Sequence, residues 1–199
     1  GSLTVYLAQT GGTAADNQGY TANSLQIGAS AGTTTQAALA TLNGFNGVTT
    51  GYGTIVNGFT NVLGGNGQDT VYIYNTQLKQ GASINLQSNP GSASDLLEID
   101  GSAIGGGLTA ILSGANAEID INNGYGYQAT SFAGLFYAIM KGSQPVINVA
   151  TGSGAGYAPV LFNGTALIAG TPGRGGLFRF RPANVTGVIT VSYFTKVVV

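Results

Sequence analysis

Short apolar-alternating segments recur along this chain at intervals of about 8–14 residues, each bounded by Gly, Asn, Asp or Ser, and that rhythm points to β-structure. Five of them follow one another: Thr70–Tyr74, Ala82–Leu86, Asp95–Ile99, Leu108–Leu112 and Glu118–Ile121. Leu3–Ala8 opens the chain in the same way, with Leu3, Val5 and Leu7 on one face, and Ser24–Ile27 reads as a further short strand. Strands of this length and spacing build a sandwich, a barrel or a solenoid. The expected fold class is therefore mainly β, either a β-solenoid or roll or a β-sandwich, with one or two short helices.

The helices are expected at two places. Thr33–Asn43 offers a capping Thr, a shared face of Ala38, Leu39 and Leu42, and Gly44 as a stop. Ser131–Lys141 places Phe132, Leu135, Phe136 and Ile139 at helical spacing, with Gly142 beyond. From Gln144 the pattern reads as hairpins: PVINVA, then APVLF-Asn163-Gly164-TALIA, then GLFRFRP and GVITVSYFTKVVV. Asn-Gly between alternating apolar runs is a strong hairpin signal, because both residues tolerate the positive φ of a type I′ turn. This divides the chain into a Gly-rich β region with short helices, residues 1–143, and immunoglobulin-like hairpins, residues 144–199. The second part is too short to bury a core alone and is expected to share one with the first.

Three strand entries share a local form. Gly65-Asn-Gly-Gln-Asp69, Gly91-Ser-Ala-Ser-Asp95 and Gly114-Ala-Asn-Ala-Glu118 each run from Gly through three small or polar residues to an acid, repeating after 26 and 23 residues. That interval suits one coil of a solenoid with a Gly turn and an acid at a common corner. Hairpins in a sandwich produce similar strings.

Composition narrows the chemistry. The chain has no His and no Cys, which removes imidazole and thiolate nucleophiles and the metal sites built on those ligands. Only 7% of its residues are charged and 34 are Gly, so its surface is made of Thr, Ser, Asn, Gln and Gly. The acids all fall within residues 1–120 with the single base Lys79, a net −6, whereas residues 121–199 hold five bases and no acid, +5. Such asymmetry steers head-to-tail association, marks an acidic half that binds cations, or is scatter among few charges. The longest nearly apolar stretch, Phe132–Met140, is far shorter than the ~18 residues of a membrane span, so no membrane insertion is expected. Opening on Gly1-Ser2-Leu3 without Met, the chain reads as part of something longer.

Gly64-Gly65-Asn66-Gly67-Gln68-Asp69-Thr70-Val71-Tyr72 fits the nonapeptide G-G-x-G-x-D-x-U-x at every specified position. It resembles the calcium-binding repeat of repeats-in-toxin (RTX) proteins. The resemblance implies calcium as the one cofactor, held at Asp69 and, through the partial copy Gly91–Asp95, at Asp95. The next nine residues, Ile73–Gly81, carry no acid, whereas calcium takes six to eight oxygens. GLFRFRPANVTGVITVSYFTKV, with Phe178, Phe180, Pro182, Gly187, Val191, Tyr193 and Val197, is similar to the last strands of cadherin-like repeats in bacterial surface adhesins. Together the two resemblances imply an exported bacterial surface or matrix protein, located at the cell surface or outside the cell.

Further binding residues are read from the pattern itself. Arg179 and Arg181 share a strand face opposite Phe178 and Phe180 and offer an anion, glycan or docking patch. With a net charge of −1 and no wider basic stripe, no nucleic-acid partner is expected. Tyr125 and Tyr127 in a Gly loop suit stacking on sugars. Glu98 and Asp100 alternate onto one strand face, a geometry open to glycoside chemistry.

The leading reading is a non-enzymatic extracellular structural or adhesion module, calcium-stabilised and self-associating through its terminal strands, whose partners are other copies of its own assembly and glycans. Two alternatives remain: a virion structural part, such as a capsid decoration or tail component, and a polysaccharide-active β-solenoid enzyme.

Overall fold

The computed structural model describes residues 3–7, 23–27, 54–64, 68–86, 94–123, 129–152 and 157–199. They form a parallel β-solenoid. Each coil lays down three short strands, one in each of three sheets, and the next coil stacks on it. The first coil carries β1 (Leu3–Leu7), β2 (Asn23–Ile27) and β3 (Thr54–Val56). The second carries β4 (Thr60–Gly64), β5 (Asp69–Tyr74) and β6 (Thr76–Leu78), and the third β7 (Gly81–Leu86), β8 (Leu96–Asp100) and β9 (Ala103–Ile104). The fourth holds β10 (Gly107–Leu112), β11 (Glu118–Ile121) and β12 (Thr130–Phe132), the fifth β13 (Phe136–Met140), β14 (Val146–Val149) and β15 (Val160–Phe162). The sixth holds β16 (Ala166–Ala169), β17 (Leu177–Phe180) and β18 (Val185–Thr186), and β19 (Ile189–Ser192) and β20 (Thr195–Val198) follow. Sheet A runs β1-β4-β7-β10-β13-β16-β19, sheet B runs β2-β5-β8-β11-β14-β17-β20, and sheet C runs β3-β6-β9-β12-β15-β18.

Alternation along each strand sends one face inward, and equivalent residues of successive coils stack as columns. In sheet B, Val71, Leu97, Ile119, Ile147 and Phe178 form one inward column, all buried. Sheet C contributes Leu78, Ile104, Phe132 and Phe162. Phe132 and Phe162 stack with centroids 5.1 Å apart, and Phe136 of sheet A closes on Phe132 at 4.9 Å, so the widest side chains fill the middle of the rod.

Between sheets B and C the chain turns through residues with positive φ: Asn75 (46°), Gly101 (61°), Asn122 (54°) and Ala150 (48°). Beneath this corner runs a buried hydroxyl ladder. The Thr76 N–H donates to Ser102 Oγ (3.1 Å), the Ser102 N–H to Thr130 Oγ1 (3.3 Å), and Thr130 Oγ1 to Asn122 Oδ1 (3.0 Å). Side chains thus take up backbone groups that the sharp turn removes from the sheets. At the turn from sheet C to sheet A, coils approach too closely for side chains. A Cβ on Gly134 would lie 2.7 Å from the Gly106 carbonyl, and one on Gly164 2.6 Å from the Gly134 carbonyl carbon.

These observations revise the local readings. Ser131–Lys141 is β12 and β13, strands of two sheets: Leu135 points out and is 43% exposed, while Phe132 and Phe136 point in. The helical spacing arose from a corner between two alternating runs. The segments after Gln144 are strands, but none forms a hairpin with its neighbour; β14 pairs with β11 and β17, and β16 with β13 and β19, all parallel. Asn163-Gly164 is the corner between sheets C and A. The Asn163 N–H continues the ladder to the Phe132 carbonyl at 2.9 Å. One core runs across residue 143 without a break. Thr33–Asn43 lies outside the described residues. Among the described residues no helix is long and apolar enough to cross a membrane.

Candidate functional site

The outward face of sheet B carries the densest polar chemistry among the described residues. Parallel register sets Tyr72, Glu98, Asp120, Asn148 and Arg179 in one column across five coils. Glu118 stands two residues before Asp120 on the same face. Asn148 Nδ2 spends both protons here, donating to Glu118 Oε1 and to Asp120 Oδ1 at 2.7 Å each. Asn123 Nδ2 donates to Asp120 Oδ1 at 3.1 Å, and Asn123 Oδ1 accepts from the Thr151 N–H and hydroxyl at 2.9 and 3.0 Å. The Thr151 carbonyl in turn accepts from Arg181 Nη2 at 3.4 Å. Tyr72 and Tyr74 flank the acids with ring centroids 5.4 Å apart.

Packing acids in adjacent coils raises the cost of ionising them. Burial pushes the Asp120 carboxyl above its ordinary range, against hydrogen bonds from Asn148 and Asn123 and the charge of Arg179. Burial and then the Asp120 charge do the same to Glu118, and burial raises Glu98 against hydrogen bonds from Tyr74 and Asp100. Each of these carboxyls therefore keeps its proton to a higher pH than it would in water.

The expected site residues divide. Asp69 and Asp95 are fully buried at the corner between sheets A and B, one coil apart. Oδ1 of Asp95 accepts the Asp69 N–H at 3.2 Å and Oδ2 the Ser113 N–H at 3.3 Å. Glu118, third in the supposed repeat, pairs with Leu96 and so stands one position further along, on the outer face. Among the described residues no group of three or more acids, His or Cys is placed to hold a metal ion. Arg179 joins the acid ladder, and Arg181, one residue past the end of β17, donates to the Thr151 carbonyl. Tyr125 and Tyr127 lie outside the described residues.

Glu98 and Asp100 do share a face and interact, as alternation predicts. The cluster with Glu118, Asp120 and Asn148 escaped sequence reasoning, because it depends on which strand lies beside which. Two Glu-x-Asp strings, at 98–100 and 118–120, were the available signal. Compared with protein-family models, with curated proteins and with solved structures, the chain matches none.

Proposed function

We propose that this chain is a non-enzymatic structural or adhesion module of an extracellular, cell-surface or filament-forming bacterial assembly. One observation carries the reading. All three sheets stack continuously along a single axis around one apolar core, so the interior is committed to holding a rod straight and the surface is left to present polar ladders. The outer face of sheet B suits glycan contact, because its carboxyls, amides and Tyr72 repeat at the rung spacing of about 4.8 Å. Calcium belongs to this proposal as a stiffener of the corner at Asp69 and Asp95, supported by the stacking of two carboxylates there. An unchanged melting midpoint between millimolar calcium and chelator removes it. Negative-stain imaging at rising concentration tests the module itself: rods or networks are expected, and a strictly monodisperse monomer that retains no polysaccharide overturns it.

A second reading, a polysaccharide-active enzyme, is favoured by the raised carboxyls of Glu98, Glu118 and Asp120 on one open face. Cleavage of any member of a polysaccharide panel, lost in Glu98→Gln or Asp120→Asn, selects it over the first.

A further inference from the structure

We infer that the outer face of sheet A pairs with the same face of a second copy, the two rods antiparallel about a two-fold axis that runs along β10. The inference rests on the assembly-forming reading above and gives it a contact surface.

Charge sets this face apart. Every Asp, Glu, Lys and Arg that lies within a described strand belongs to sheet B, and the strands of sheets A and C hold none. Two copies of sheet A therefore meet without like-charge repulsion and without burying a charge, whereas two copies of sheet B set carboxyl against carboxyl. In place of charge the face carries apolar side chains, and they lie away from both ends of the chain. Leu135, Tyr137 and Ile139 alternate outward along the fifth coil, with Ile111 beside Ile139 and Leu167 beside Tyr137 in the neighbouring coils. Leu135 is 43% exposed and Phe59, at the same corner of the second coil, 40%; the others are half-buried. Each turn from sheet C into sheet A takes only two or three residues, so no long connection overhangs that edge.

The relief of the face selects a second copy as its occupant. Register sets its outward residues in three columns, and the corner column reads Phe59, Gly81, Gly107, Leu135 and Thr165 through coils two to six. A two-fold rotation about β10 lays the fifth coil on the third and the second on the sixth. Leu135 then faces Gly81, Tyr137 faces Ser83 and Phe59 faces Thr165, a large side chain over a small one each time. Leu63 and Leu167 likewise face Ala169 and Asn61, and Ile111 meets its own counterpart beside the axis. Parallel pairing of the same faces stacks Tyr137 on Tyr137 and leaves Gly81 and Ser83 opposite nothing large.

The face measures about 24 Å along the axis by about 17 Å across, so a pair covers roughly 800–1,000 Å² in total, the low end for a specific contact. A weak, reversible pair follows. The contact uses one patch twice and closes on itself, and it joins copies that approach from opposite directions.

Asn61 and Leu167 stand at the two ends of the middle column of this face, and the native chain has no Cys. Asn61→Cys and Leu167→Cys proteins are purified separately, mixed, and treated with a short bis-maleimide that reaches across the ~10 Å between facing sheets. They are expected to give a covalent dimer that neither gives alone, because like sites are about 19 Å apart along the rod. Same-site dimers only, or no cross-link, overturn the pairing. Sedimentation of the unsubstituted chain is expected to show a dimer growing between about 1 µM and about 1 mM and no weaker at ~0.5 M than at ~0.05 M salt. Tyr137→Lys, with an unchanged circular dichroism spectrum, is expected to weaken it about ten-fold or more. A dimer that salt dissociates, or that this variant leaves intact, overturns the pairing as well. Rods or networks without the mixed cross-link, or a monomer that retains polysaccharide, overturn the pairing and leave the proposed module standing. A monomer at every concentration that retains no polysaccharide overturns both.

Discussion

Asp95 joins three coils: its Oδ1 accepts the backbone N–H of Asp69 in the coil before it, and its Oδ2 accepts that of Ser113 in the coil after. A buried carboxylate thereby bridges the corner between sheets A and B, sharing the Ser113 N–H with the Leu86 carbonyl, which accepts it at 3.0 Å. Asp95→Ala removes the side-chain acceptor that ties these coils together, while Ser113 keeps the Leu86 carbonyl, and it is expected to cost about 1–3 kcal/mol. Urea denaturation measures this, and a midpoint equal to that of the native chain would show that the corner does not depend on the carboxylate.

Gly134→Ala forces a methyl group against the Gly106 carbonyl one coil away, where no flexible side chain can yield. The expected loss is about 1–3 kcal/mol. Gly81→Ala meets the Gly107 carbonyl and also holds an L-residue at a φ of 94°, so it should be the more damaging of the two. Thermal melting of both variants tests the order; a milder Gly81→Ala contradicts it.

Phe132 touches Phe162 above it and Phe136 beside it, in a three-ring cluster. Phe132→Ala should cost about 3–5 kcal/mol, since stacked coils cannot collapse sideways into the void. Phe180→Ala, at a half-buried position near the open end, should cost clearly less. Equal losses would mean that the rod is no better packed in its middle than at its end.

Asp120→Asn separates ionisation from shape. In the unfolded chain this carboxyl ionises near pH 4, roughly its ordinary value. The fold holds its proton to higher pH, so the acid's contribution is intact below that value and declines as pH rises through the raised one. Asp120→Asn should therefore gain stability relative to the native chain as pH rises from about 4 toward neutrality. Paired urea midpoints across that range check it, and a difference that does not change with pH rules it out.

Much of the fold was readable before any coordinates. Glu118–Ile121 coincides with β11, and Thr70–Tyr74, Ala82–Leu86 and Leu108–Leu112 fall within one residue of β5, β7 and β10. Even the misassigned C-terminal runs are strands at the expected places. Partner choice was not readable. Alternation says that one face is buried, and it is ordinarily associated with antiparallel neighbours, because most parallel sheets are covered on both sides. A solenoid is parallel and still leaves its outer face open, so Val160–Phe162 and Ala166–Ala169 around Asn163-Gly164 carry a hairpin's pattern without being one. Asp69 and Asp95 were legible as a repeated corner 26 residues apart. Their burial and their backbone partners were not.

The residues alone determined that this polypeptide builds short β-strands at close intervals, turns on glycine, and does without imidazole and thiol chemistry, since these follow from side-chain period, backbone freedom and composition. Tertiary structure decided that each strand pairs with one a full coil away. Only that long-range stacking placed Glu98, Asp120, Asn148 and Arg179 in a single column and left an apolar, basic edge at the last coil. Coil lengths vary along this chain, from 18 residues between Leu177 and Thr195 to 57 between Leu3 and Thr60, so the neighbours of a residue are set by the packed register and not by a fixed spacing.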